Sequence, residues 1–120
     1  MLEKLFKLSA HKTTVRTEII AGITTFAAMS YILAVNPGIL EDAGLDRGSM
    51  ITITAVAGAI GTLMMAMLTN YPIALAPGMG LNAYFAYTIV LGAGVAPTDA
   101  LAVVFWNGLF FLLLSVSGVR

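Results

Sequence analysis

The sequence NYPIALAPGMGLNAYFAYTIVL, residues 70–91, is apolar enough to lie inside a lipid bilayer. Within it stand two prolines and two glycines, which are the residue types that interrupt helices. Proline removes a backbone N–H donor and crowds the preceding turn, and glycine is costly in a helix interior. Pro72, Pro77, Gly78 and Gly80 therefore predict that this membrane span is broken rather than continuous.

The part of this stretch that can be helical is short. A helix over residues 81–91 would measure only about 16 Å at 1.5 Å per residue, about half of a bilayer. Irregular backbone at membrane depth persists only where protein buries it or where it lines a polar cavity. Interrupted spans of this kind point to a transporter binding site, with the extended piece before Leu81 presenting peptide groups to a ligand. Asn82 adds an amide that both donates and accepts hydrogen bonds.

Two plainer interpretations of the same residues stay open. Clusters of glycine and proline commonly mark turns, so residues 77–80 equally fit a cytoplasmic loop followed by a span from Leu81 to Val95. Asn82 would then only bond a neighbouring helix, which is a common role for Asn in membranes. A phosphate-binding loop is disfavoured, because no Lys-Ser or Lys-Thr pair follows the glycines.

The composition points to a membrane protein. The 120 residues are 59% hydrophobic and 10% charged, with a mean hydropathy of +0.95, whereas soluble domains carry roughly 25% charged residues. From Gly48 to Val119 the only formal charge is Asp99. So short a chain cannot bury this much apolar surface in a water-soluble core. The lipid bilayer is therefore the expected solvent and partner.

Several functional classes are disfavoured by the residues that the chain contains. It has no Cys and one His, His11, so no zinc cluster, disulfide framework or thiol nucleophile can form. The net charge is zero and the basic residues lie mostly in the first sixteen positions, so no basic patch suits nucleic acid. No nucleophile–base pair is visible. We therefore expect no enzyme, no cofactor and no metal site.

The apolar stretches predict an all-α polytopic membrane protein with four spans. The continuous ones contain 22, 21 and 20 residues, close to the roughly 20 that a spanning helix needs. The predicted segments are a basic leader at 1–18, span one at 19–40, span two at 49–69, the broken span three at 72–95 and span four at 100–119.

The distribution of charge predicts the orientation of the chain. The loop at 41–48 has an acidic excess, whereas the leader is basic through Lys4, Lys7, Lys12 and Arg16. Positive charge favours the cytoplasmic side, which places the N-terminus in the cytoplasm and the 41–48 loop outside. Four crossings would return Arg120 to the cytoplasm, in a multi-pass protein of the plasma (cell inner) membrane.

Small residues in span two predict close packing. The pairs Thr54/Gly58 and Ala57/Gly61 are four residues apart and would let a neighbouring backbone approach closely in lipid. A small membrane scaffold or subunit that packs through these pairs is therefore one alternative function. In span one, Ser and Thr side chains are expected to bond back to the carbonyls of their own helix.

Four stretches occur together along the chain: GITTF at 22–26, MSYI at 29–32, VNP at 35–37 and the long run at 70–87. Together they resemble the purine (hypoxanthine, guanine and adenine) permeases of the nucleobase–cation symporter-2, or xanthine/uracil permease, superfamily. The resemblance covers essentially the whole chain. The run at 70–87 is far more specific than a four-residue motif.

The resemblance implies a fold larger than this chain. Members of that family have fourteen spans in two inverted repeats of seven, divided into core and gate domains. Spans three and ten are broken, each with a short extended strand that meets a half-helix. Fourteen spans need at least about 280 residues. The chain is therefore expected to supply the first four spans, a single partial transporter domain, as an N-terminal fragment that does not transport alone.

The resemblance also implies a site and an activity. It places Asn82 at a polar position used in purine recognition and Gly80 and Leu81 at the junction of strand and half-helix, with Ser30 a weaker candidate for the same pocket. The implied function is uptake of purine nucleobases by a symporter, coupled to protons through carboxylates in later spans. An anion carrier of the same architecture is a further alternative, and a homo-oligomer stays open.

Overall fold

The computed structural model describes residues 12–71 and 73–118. Most of the predicted basic leader at 1–18, and the predicted position of Arg120, lie outside the described residues. The described chain contains α-helices and one π-helix, and no β-strand occurs in it. The elements are α1 (Val15–Met29), α2 (Ile32–Asp42), α3 (Arg47–Thr69), α4 (Met79–Ala83), the π-helix (Tyr84–Gly92) and α5 (Pro97–Val116).

The predicted first span is helical with an irregular turn inside it. Ser30 and Tyr31 separate α1 from α2, yet both keep right-handed helical backbone angles. Their carbonyls each accept an amide N–H from three residues onward at 3.1 Å, so the turn is tighter than α-helical. Pro37 lies inside α2, and its ring crowds the carbonyl of Leu33, one turn earlier.

A short turn connects α2 to α3 on the side where the predicted outer loop lies. Gly44 adopts a left-handed conformation with φ +85°, and its N–H donates to the carbonyl of Glu41 at 2.8 Å. Asp46 then caps α3 by accepting the N–H of Ser49 at 2.7 Å. These Ser49 hydrogen bonds hold the pKa of the exposed Asp46 carboxyl below its ordinary value.

Three helical stretches are long and apolar enough to cross a membrane: Val15–Asp42, Arg47–Thr69 and Pro97–Val116. A shorter apolar helix covers Met79–Gly92. The outward surfaces of these helices are apolar, as the exposed side chains of Phe26, Leu68 and Phe111 illustrate. Such surfaces are stable only in lipid or against other apolar protein. The expectation of an all-helical, multi-pass membrane protein is thereby confirmed.

The helix is interrupted near Pro77, as both the broken-span and the loop interpretations predict. Helix α3 ends at Thr69, Asn70 adopts a left-handed φ of 54°, and the next helix begins only at Met79. Residues 73–78 are non-helical. The strand that the resemblance implies is not confirmed, because these described residues pair with no second strand. The reason is that Leu75, in the middle of the segment, bonds a side chain of α3 instead of another backbone.

The packed core lies beside the turn between α2 and α3. It contains five buried residues from three parts of the chain: Ala43, Phe85, Ala86, Val90 and Ala100. The π-helix supplies three of them and is therefore the central element of this core. The core holds the π-helix against the end of α2 and the start of α5.

The π-helix has a local requirement for glycine. The N–H of Ala93 donates to the carbonyl of Thr88, five residues earlier, at 3.0 Å, which is the bonding pattern of π-winding. A Cβ added at Gly92 would lie 3.0 Å from the carbonyl oxygen of Tyr87. Any larger residue at position 92 would therefore push against the backbone of the same helix.

Candidate functional site

The non-helical segment 73–78 is held against α3 by one side chain. The Thr62 hydroxyl donates to the carbonyl of Leu75 at 3.3 Å, and the N–H of Leu75 donates to the same hydroxyl oxygen at 3.0 Å. One threonine thus satisfies both peptide groups of Leu75. An unpaired peptide group at membrane depth costs several kcal/mol, on the order of a lost hydrogen bond in hydrocarbon. Thr62 therefore makes the interruption tolerable at this point.

Small residues of α3 make room for this contact. A Cβ built on Gly58 would lie 3.5 Å from the carbonyl oxygen of Leu75, and one on Gly61 would lie 3.5 Å from the Leu75 Cβ. The predicted close approach at the small-residue pairs is therefore present. Its partner at Gly58 and Gly61 is the non-helical segment rather than a second helix.

A groove of about 650 Å³ opens between α1, the start of α2, α3 and residues 71 and 73–77. Its wall is mostly hydrocarbon, with hydroxyl groups from Thr25, Ser30, Thr54 and Thr62. Glu18, near the start of α1, is the one charged residue among the described residues that line it. A groove of this size fits a flat heterocycle, because apolar walls cover ring faces and a few polar groups fix the edges.

The hydroxyls of α1 are partly engaged by their own helix. Thr25 donates to the carbonyl of Ala21 at 2.9 Å, and Ser30 donates to the carbonyl of Ala27 at 2.9 Å. This confirms the expected back-bonding of Ser and Thr in span one. The two residues nevertheless line the groove, where their hydroxyl oxygens can still act as acceptors.

A chain of polar side chains joins three helices next to the groove. The amide nitrogen of Asn36 in α2 donates to the hydroxyl oxygen of Thr54 in α3 at 3.0 Å. The amide oxygen of Asn36 accepts a hydrogen bond from the amide nitrogen of Asn82 in α4. Asn36 is 1% exposed and Thr54 is 4% exposed, whereas Asn82 is partly exposed. Because a buried amide without partners is costly, these bonds fix the relative positions of α2, α3 and α4.

The four residues predicted for the site lie in different surroundings. Ser30 lines the groove, whereas Gly80, Leu81 and Asn82 are outside its lining. Leu81 is 77% exposed, and the space around Gly80 is open to 4 Å among the described residues. Asn82 lies in the hydrogen-bonded chain with Asn36. The structure thus brings Asn82 to a polar network and Ser30 to the groove.

Sequence reasoning did not single out Asn36, Thr54 or Thr62 as polar contacts. A signal for Asn36 was available, because an amide inside a long apolar run must find a hydrogen-bond partner in lipid. Thr54 was noted only as a small residue. Nothing in the sequence distinguishes Thr62 from the other threonines of α3, since its role depends on where Leu75 passes.

A second polar contact joins the end of α2 to the π-helix. The Tyr87 hydroxyl of the π-helix donates to the carboxylate of Asp42, the last residue of α2, at 2.7 Å. Both residues are exposed. Together with the Asn36–Asn82 bond, this contact ties α2 to both halves of the helix that follows the break.

The described residues contain span-length apolar helices, a non-helical segment after α3 and a groove beside that segment. The helices define the class as a multi-pass membrane protein. A model of the Permease family (Xan_ur_permease) matches residues 16–120. The chain therefore belongs to this permease family, a family of transporters rather than of enzymes.

Relatives of known name match along nearly the whole chain. The adenine permease AdeP of Escherichia coli (strain K12) is 47% identical over 120 residues, which is 100% of this chain and 27% of the relative. The guanine/hypoxanthine permease PbuO of Bacillus subtilis (strain 168) is 46% identical over 118 residues, or 97% of this chain and 27% of the relative. The adenine permease AdeQ of Escherichia coli (strain K12) is 44% identical over 119 residues, again 27% of the relative.

The chain therefore spans about a quarter of the length of the relatives it matches. No solved structure matches it. Membership of the family and the similarity to nucleobase permeases are thus shown by sequence, and the structure shows a non-helical segment at 73–78 with a groove beside it.

Proposed function

We propose that the protein carrying this chain transports purine nucleobases across the membrane, and that this chain forms its N-terminal part. The observation that carries the proposal is the interrupted apolar segment, which Thr62 holds along the edge of the groove. Hydroxyl groups of Thr25, Ser30, Thr54 and Thr62 line this groove. The names of the relatives, adenine permease and guanine/hypoxanthine permease, supply the class of solute.

The chemistry of the groove suits a purine. A purine has two flat apolar faces and an edge of alternating hydrogen-bond donors and acceptors. The hydrocarbon of α1 and α3 would cover the faces, and the Ser30 hydroxyl oxygen would accept from the edge. Asn82 lies outside the groove lining and is joined to the groove wall only through Asn36 and Thr54. Its contact with the purine edge, through the part of its amide that Asn36 does not occupy, is proposed for the complete permease.

The proposal also covers the number of spans, the orientation and the proton coupling of the whole permease. The chain supplies the first four spans of a fold with two inverted repeats of seven, and its N-terminus lies in the cytoplasm. Proton coupling belongs to carboxylates of later spans, so this part alone is expected to be inactive. Neither an anion carrier nor a scaffold role gains support from the described residues, where no Lys or Arg lines the groove.

The test is uptake of radiolabelled adenine, hypoxanthine and guanine by cells that lack their own purine permeases and express the complete protein. The unsubstituted protein should accumulate at least one of the three bases. Asn82→Ala should raise the KM about tenfold, because one hydrogen bond to the solute is worth roughly 1.4 kcal/mol. Asn107→Ala in α5, also an exposed Asn in an apolar helix, is the matched control and should leave the KM unchanged.

Two results would contradict the proposal at different points. If the complete, unsubstituted protein reaches the membrane and takes up none of the three bases, the purine assignment is wrong. If it takes up purines and the KM of Asn82→Ala equals that of the unsubstituted protein, the assignment stands and Asn82 is not part of the site.

A further inference from the structure

The groove beside the non-helical segment is longer than one purine base. Its lining follows one face of α1 at helical spacing, from Glu18 through Thr25 to Ser30, and continues to Leu33 at the start of α2. Glu18 and Ser30 are 12 positions apart, which is about 18 Å along a helix axis at 1.5 Å per residue. A base that contacts the Ser30 hydroxyl therefore does not reach Glu18.

Glu18 and Tyr71 lie toward the same end of this groove. The helical stretch Val15–Asp42 and α3 are joined by the short turn at 43–46, so they run antiparallel. The bond between Asn36 and Thr54 sets their relative level. From that bond the chain runs back 18 positions to Glu18 and onward 17 positions to Tyr71. Both residues are exposed and both line the groove.

The polar groups at this end are available to a solute. Within residues 12–71 and 73–118, neither the Glu18 carboxylate nor the Tyr71 hydroxyl has a hydrogen-bond or ion-pair partner, and Arg16 forms no ion pair with Glu18. A carboxylate only accepts hydrogen bonds, and it binds two parallel N–H donors best. Glu18 also lies in the first turn of α1, where its charge favours the helix dipole, but that role involves no solute.

We propose that the Glu18 end of the groove is a second nucleobase subsite, separate from the one at Ser30, and that its carboxylate selects 2-amino-6-oxo purines such as guanine. This inference rests on the proposed function. Guanine presents its N1–H and its 2-amino N–H side by side, and both can donate to one carboxylate. Hypoxanthine lacks the 2-amino group. Adenine carries an acceptor at N1, which a carboxylate repels.

The test measures equilibrium binding of radiolabelled guanine and of hypoxanthine, which differ only in the 2-amino group, to the purified complete permease. Glu18→Gln keeps the shape of the side chain and replaces one accepting oxygen with a donating NH₂ group. Glu41→Gln is the matched control, because Glu41 is an exposed glutamate outside the groove lining that pairs with Arg47 at 3.1 Å.

For the unsubstituted protein we expect two components in the saturation curve of guanine. Glu18→Gln should raise the Kd of one component at least about tenfold, the effect of losing a hydrogen bond to a charged group, and should leave the other within about twofold. The Kd values for hypoxanthine should rise less than about threefold, because its single N–H can still donate to the remaining oxygen. Glu41→Gln should leave the binding of both bases unchanged.

A single component for guanine in the unsubstituted protein would overturn the inference. Equal rises in Kd for the two bases would overturn it as well, because a carboxylate that only stabilises the start of α1 does not distinguish the 2-amino group. A shift with Glu41→Gln as large as that with Glu18→Gln would indicate a general effect of charge and would also overturn it. If the unsubstituted protein binds neither base, the proposed function is contradicted instead.

Discussion

Helix α3 and the segment that follows it are similarly apolar but differ in backbone. Helix α3 runs without interruption over Arg47–Thr69 although it contains three glycines, whereas residues 70–71 and 73–78 are not helical. The difference is proline together with glycine, because glycine alone costs only about 1 kcal/mol in a helix and proline costs about 3. Glycine alone is therefore compatible with the regular helix α3, whereas glycine next to proline lies at the interruption that follows it.

The glycines of α3 serve the neighbouring break. Gly58 and Gly61 lie where Leu75 passes, and Thr62 on the same helix bonds both peptide groups of Leu75. Helix α3 thus presents two glycines without side chains and one hydroxyl group, and the backbone of the non-helical segment packs against them. These contacts stabilise helix α3 and the non-helical segment against each other.

The largest effect is expected from removing the cause of the break. Pro77→Ala, Gly78→Ala and Gly80→Ala combined favour helix by roughly 3 kcal/mol for the proline and about 1 for each glycine. A Cβ has room at both glycines, 3.7 Å from the Leu81 side chain at Gly78 and open space at Gly80, so any effect is conformational rather than steric. We expect purine uptake to fall to background while the protein still reaches the membrane.

The control for that triple variant is Gly108→Ala in the regular helix α5, where a Cβ also meets open space. It should leave uptake unchanged. Normal uptake by the triple variant would show that transport does not depend on the interruption.

A smaller effect is expected from separating the two regions at their polar contact. Thr62→Val leaves the N–H and the carbonyl of Leu75 without their partner, which costs about 1–3 kcal/mol of stability. Thermal unfolding of the detergent-solubilised protein measures this loss. Thr62→Ser keeps the hydroxyl and should unfold close to the unsubstituted protein. Equal melting temperatures for all three proteins would show that Thr62 does not hold the segment.

The smallest effect is expected in the π-helix beyond the break. Gly92→Ala places a Cβ 3.0 Å from the Tyr87 carbonyl oxygen and should destabilise the protein by about 1 kcal/mol, as moderate overpacking does. Gly22→Ala in α1 meets nothing within 4 Å and should stabilise it by about 0.5–1 kcal/mol. Thermal unfolding distinguishes the two by sign. A shift of the same sign in both variants would mean that winding in this segment is not held by Gly92.

Much of the fold could be predicted because it depends on local chemistry. Apolar length predicts the spanning helices, and Pro77 with its neighbouring glycines predicts the break. The π-helix could not be predicted, since its winding depends on how Phe85 and Val90 pack in a core shared with distant residues. The irregular turn at Ser30 and Tyr31 was likewise not predicted.

The candidate site was predicted less completely than the fold. Asn82 was singled out for its donating and accepting amide and by the family resemblance, and it does lie in a polar network. Its partner Asn36 is 46 positions away along the chain, and Thr54, which bonds Asn36, is 28 positions away, so only the packing of the helices brings them together. The same holds for Thr62 and Leu75. Spacing within one helix carries no information about such contacts.

The winding of residues 84–92 changes how the aromatic segment should be mapped. Phe85 and Val90 are five positions apart and are both buried, whereas an α-helical wheel at 100° per residue would set them about 140° apart. A scan of substitutions through this stretch is therefore expected to repeat its effects every fourth or fifth residue instead of every third or fourth. Faces drawn with the usual wheel would become increasingly wrong toward the end of the π-helix.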